Sequence, residues 1–130
     1  MTTSESVPTA DTALAETLRA LRCDLEPRSS EDDGAWRWRV RRRLAGVRDA
    51  LQAEAQMSSE GWLAARSEAR HREREPLLRR VAGLGDRALD APAGELRTAL
   101  VRLAGDLDHH DQRRRDLAYD AVEMELGGSE

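Results

Sequence analysis

The chain has 130 residues, enough for one domain with a modest core, and only 39% of them are apolar, too many to demand disorder but few for a globular protein. Twenty-one basic residues face 25 acidic ones, and the net charge of -4 disfavours indiscriminate binding to nucleic acid or an anionic membrane. The 17 Leu and 20 Ala stand against six Val, no Ile and no Phe, a supply that suits helices and leaves little to pack on a pleated surface.

An all-α fold follows: an elongated antiparallel bundle of about four helices with a long C-terminal helix. Every basic residue is Arg. That choice suits bidentate pairing with carboxylates, although a compositional habit of the genome explains it equally, together with the Ala load. Cys23 is the only cysteine, so there can be no intramolecular disulfide and no thiolate cluster for a metal, which points to the cytoplasm. The stretch 1–14 lacks the basic start and continuous apolar run of a signal peptide, and no apolar run approaches the length of a membrane span.

In chain order, residues 1–9 are rich in Ser, Thr and Pro and read as a flexible leader. A single helical domain is expected over 10–126, with an exposed tail at 127–130. Leu14, Leu18, Leu21 and Leu25 line one face of a first helix, and the stretch 26–34, with Pro27, Ser29, Ser30, Asp32, Asp33 and Gly34, is a linker. A second helix from 33 or 34 to about 55 carries the ladder Trp36, Val40, Leu44, Val47 and Leu51. Trp38 cannot share the centre of that stripe, so one indole belongs to the core and the other to its margin or to a subunit contact.

Ser58 or Ser59 is the expected cap of a third helix, which bears Trp62 and Leu63 at its start and Leu77, Leu78, Val81 and Leu84 at its end. Pro76 interrupts this pattern and should kink or restart the helix. Gly83, Gly85, Asp86, Asp90 and Pro92 bracket the next joint. The final ladder, Leu96, Leu100, Leu103, Leu107, His110, Arg114, Leu117, Ala121 and Met124, alternates steps of four and three, a heptad rhythm. The first helix could cover less than half of so long a seam, which predicts a homodimer joined through this last helix.

Three groups of residues bear on chemistry or binding. Glu68, His71 and Glu75 share a helix face, and Asp106 precedes His109 and His110 by three and four residues. An antiparallel hairpin whose paired numbers sum to roughly 177 would set His71 opposite Asp106 and Ser67 opposite His110. Glu68, His71, Glu75, Asp106 and His110 could then hold a metal as in carboxylate-bridged bundles, with Glu16, Asp49 or Glu54 as further carboxylates. Against this, only one E-x-x-H is present and the neighbouring arginines compete for the acids; the plainer expectation is ion pairing with no cofactor. In the seam itself, His110 and Arg114 replace apolar residues, where polar groups select register or partner.

The third group is the run Trp36-Arg37-Trp38-Arg39-Val40-Arg41-Arg42-Arg43, with Arg48 a turn beyond. It mixes aromatic and cationic groups as a nucleic-acid or acidic-protein surface would, but helical spacing spreads its arginines around the cylinder. No phosphate loop, dinucleotide loop, nucleophile elbow or H-E-x-x-H pattern occurs. The sequence therefore points to a small helical interaction or regulatory module without catalytic activity, homodimeric, with an acidic protein as a possible partner. Its expected interaction residues are Trp36, Trp38, Arg39, Arg42, Leu100, Leu103, Leu107, His110 and Arg114. A metal-binding helical-bundle oxidoreductase is the first alternative, and a nucleic-acid-binding accessory protein using the Arg/Trp helix is the second.

Overall fold

A computed structural model describes residues 10–26, 32–57 and 64–127, with side chains described over 12–26, 32–56 and 71–116. Four helices follow in order: α1 (Ala10–Leu25), α2 (Asp33–Met57), α3 (Ala64–Arg87) and α4 (Ala93–Gly127). There is no strand among the described residues. The expected leader, the linker from Pro27 to Glu31, the joint from Ser58 to Leu63 and the tail beyond Gly127 lie outside them.

The helices form a ring in which α1 packs on α2 and α4, and α3 packs on α2 and α4, while the diagonal pair α2 and α4 is joined across the centre by long side chains, Arg97 over Trp36 and His110 to Glu54. Each neighbouring pair is antiparallel. Asp24 near the end of α1 meets Arg39 and Arg43 near the start of α2, and Arg22 pairs with Asp108 whereas Leu25 meets the earlier Arg97. The bundle is elongated because α4 has 35 residues against 16 in α1, about 52 Å against about 24 Å at the helical rise.

One apolar stripe per helix fills the centre. Leu14, Leu18 and Leu21 of α1, Trp36, Val40, Leu44, Val47 and Leu51 of α2, Leu77 and Val81 of α3, and Leu96, Leu100, Leu103 and Leu107 of α4 are all buried. This corrects the reason for expecting a second chain over the long seam. Leu100, Leu103 and Leu107 are wholly enclosed by the chain's own helices, because α3 closes the side of α4 that α1 does not reach. They are core residues, not surface for a partner.

Local chemistry sets the boundaries. The Asp32 carboxylate accepts the Ala35 amide at 3.2 Å and caps α2. Pro92 precedes α4, and its carbonyl takes the Leu96 amide at 2.9 Å. Pro76 lies inside α3, which continues through it to Arg87, at the loss of the one hydrogen bond its amide would have given to the Arg72 carbonyl.

Gly83 and Gly85 also lie inside α3, and the turn spans Ala88 to Pro92, later than their positions suggested. The α3 to α4 register shifts with it. Asp106 meets Arg80 and His110 meets Glu73, in place of the expected pairings with His71 and Ser67.

Candidate interaction site

The two indoles of α2 have opposite fates. Trp36 is 5% exposed, its Nε1 donates to the Asp24 carbonyl at 2.7 Å, and the Arg97 guanidinium lies 4.7 Å over its ring. Trp38 is 59% exposed, and its ring faces only the Arg41 guanidinium at 5.3 Å. Two residues of helix turn a side chain by about 200°, so burial of Trp36 turns Trp38 outward.

The arginine run divides in the same way. Arg37 reaches Asp33 at 2.8 Å and the Ala88 carbonyl at 3.1 Å. Arg39 and Arg43 clamp the buried Asp24 carboxylate at 2.9 and 2.7 Å, tying α2 to α1. Arg41 and Arg42 are exposed and follow Trp38 by three and four residues, which puts all three on one helix face. Of the residues expected here, Trp38 and Arg42 face outward, while Trp36 and Arg39 serve the fold. Arg41 was missing from that expectation, and the i+3 spacing from Trp38 is the signal that finds it.

Below the apolar core the stripes turn polar together. Glu54 continues the α2 ladder three residues beyond Leu51, Arg74 continues the α3 ladder three residues before Leu77, and His110 and Arg114 continue that of α4. All four are less than a tenth exposed. His110 Nε2 donates to Glu54 at 2.8 Å, and Nδ1 donates to Glu73. Arg74 Nε lies 3.4 Å from Glu54, Arg113 holds Glu73 at 2.7 Å, and Arg114 and Arg115 hold the buried Asp111 at 3.2 and 3.0 Å.

Ionised carboxylates offer no hydrogen, so an imidazole bonded to two of them must donate from both nitrogens as an imidazolium. Burial alone pushes the His110 pKa down, but the hydrogen bond and charge of Glu54, then those of Glu73, outweigh it and raise the pKa above the usual 6.5. Burial likewise pushes the Glu54 carboxyl up, and the His110 hydrogen bond with the charges of His110, Arg74 and Arg114 brings it below 4.5.

The described members of the expected metal set, His71, Glu75, Asp106 and His110, do not come together. Asp106 is half exposed and paired with Arg80, His71 is 58% exposed and 4.0 Å from Glu75, and His110 is sealed between Glu54 and Glu73. The side chain of Glu68 lies outside the described residues. No group of three His, Cys, Asp or Glu able to hold a metal occurs among the described residues, because the neighbouring arginines and His110 take up the carboxylates.

Comparison with protein-family models, curated proteins and solved structures finds no match for the chain.

Two further features are relevant to function. No helix among the described residues is long and apolar enough to cross a membrane. A groove of about 610 Å³ runs between α1 and α4 over Leu18 and Gly105, flanked by Arg19, Arg22, Asp108 and Arg115. Its carboxylates are already paired, Asp108 with Arg22 and Asp111 with Arg115.

Proposed function

We propose that this chain is a small non-catalytic interaction module that acts as a homodimer in the cytoplasm. The observation that carries the reading is the outward face of α2, where Trp38 stands 59% exposed on the same face as Arg41 and Arg42. Trp and Arg dominate the energetics of protein contacts because they bring large buried area, directional donors or both. The buried His110 has both ring nitrogens on carboxylates, which leaves that imidazole neither a free base nor a ligand lone pair.

Self-association has a second support in the length of α4. Its register against α3, with Glu73 at His110 and Arg80 at Asp106, sets Ala64, the first described residue of α3, near Ala121 at equal rise per residue. The ladder continues to Ala121 and Met124, at and past that point. Light scattering at tens of micromolar tests the reading. A mass of twice 14.5 kDa is expected, and 14.5 kDa across the whole concentration range overturns it.

A further inference from the structure

We propose that the first half of α3, from Ala64 to Glu75, is an arm hinged at Pro76 and latched to the bundle by the protonated His110. Loss of that proton releases the arm while the apolar half of the bundle stays closed.

The anchoring of α3 changes character at Pro76. Beyond it, Leu77, Val81 and Ala88 are buried in the apolar core, which holds that half independently of any titrating group. Before it, no apolar side chain among residues 71–76 enters the interior: His71, Arg72 and Pro76 are exposed, Glu73 and Glu75 are half-buried, and Arg74 is buried. Over its described side chains the arm is therefore fastened by Glu73 and Arg74. The joint between the halves is weak as well, because Pro76 brings no amide hydrogen to the Arg72 carbonyl, and helices bend where such a bond is missing.

Of the two fastenings, Arg74 is the poorer. Its Nε lies 3.4 Å from Glu54, and its buried Nη2 has no hydrogen-bond partner among the described residues, a cost that opening to water removes. Glu73 accepts from His110 Nδ1 and from Arg113 at 2.7 Å. Arg113 is 60% exposed, so that pair is screened by solvent and holds little alone.

The His110 contact depends on a proton. The imidazole donates from Nε2 to Glu54 at 2.8 Å and from Nδ1 to Glu73, and in its neutral form it has one N–H to give. That hydrogen stays with Glu54, which is sealed from water, whereas Glu73 is 30% exposed and can turn to solvent. The other charged groups around the ring, Arg74 of α3 with Asp111, Arg113 and Arg114 of α4, pair with Glu54, Glu73 or one another. Burial lowers the His110 pKa, but Glu54 and then Glu73 outweigh it and carry it above 6.5. The latch is thus shut below that value and opens as the pH climbs through the raised one.

Amide hydrogen exchange of the full chain, read by mass spectrometry and corrected for the intrinsic rise of exchange with pH, tests the latch. Between pH 6 and pH 9, protection over residues 64–75 is expected to fall roughly tenfold while that over 77–87 holds. In His110→Gln, which cannot titrate, the arm should be open already at pH 6 and show no further fall. Pro76→Ala restores the missing hydrogen bond and should shrink the fall seen in the wild type. Unchanged wild-type protection across this range overturns the latch. A fall that spreads equally into 77–87, or one of wild-type size in Pro76→Ala, overturns the hinge, and a fall of wild-type size in His110→Gln overturns the role of His110. Should His110→Gln fail to fold, the wild-type and Pro76→Ala profiles decide.

Discussion

His110 is the residue on which the lower half of the bundle turns, because it links Glu54 of α2 and Glu73 of α3 to α4. The sign of its pH dependence follows from the two shifts. A His whose folded pKa is raised contributes stability that is complete below about 6.5 and is lost as pH climbs through the folded value. Glu54, lowered, contributes stability that is complete above about 4.5 and is lost as pH falls through its folded value. Urea unfolding should therefore show this pair at full strength between these two values, with the midpoint declining toward pH 9. His110→Gln, which cannot titrate, should flatten that alkaline decline; an unchanged slope in the variant would assign the effect to other groups. At pH 6, His110→Ala should cost about 3 kcal/mol, since it leaves the buried Glu54 without its closest partner.

At the scale of the helices, glycine positions separate close packing from open space. A Cβ on Gly46 of α2 would lie 2.8 Å from the Thr17 hydroxyl of α1, whereas one on Gly105 of α4 would meet nothing within 4 Å. Gly105→Ala should stabilise by about 1 kcal/mol through helix propensity. Gly46→Ala should lose that gain and destabilise, because the α1 to α2 contact must open. Thermal midpoints moving in opposite directions check the pair.

The same helices explain what the sequence disclosed. Leucines repeating at three and four identify each element and its inner face, since burial enforces that period. Extending the ladders by one step also reaches Glu54, Arg74, His110 and Arg114, so the polar layer was legible as positions. Its pairings were not. They depend on the register of α3 against α4, and that register depends on a turn at Ala88 to Pro92 that the helical Gly83 and Gly85 disguise. Asp24 lay beyond reach for a similar reason: nothing local marks an acid at the end of α1 as the anchor for Arg39, Arg43 and, through its carbonyl, Trp36.

Across the whole molecule, charge has two uses. The inner carboxylates and arginines answer one another within the chain, while Arg41 and Arg42 stand exposed beside Trp38. A dimer that binds only folded chains raises apparent stability by mass action. The urea midpoint should therefore rise with protein concentration from 1 to 100 μM, and the Arg41→Glu, Arg42→Glu variant should abolish the rise. The most direct test follows the indole N–H signals of the three tryptophans by heteronuclear NMR during dilution. The Trp38 signal should move with concentration and with salt while that of Trp36, bonded to the Asp24 carbonyl, stays in place. A stationary Trp38 signal across the range in which the mass changes would contradict it.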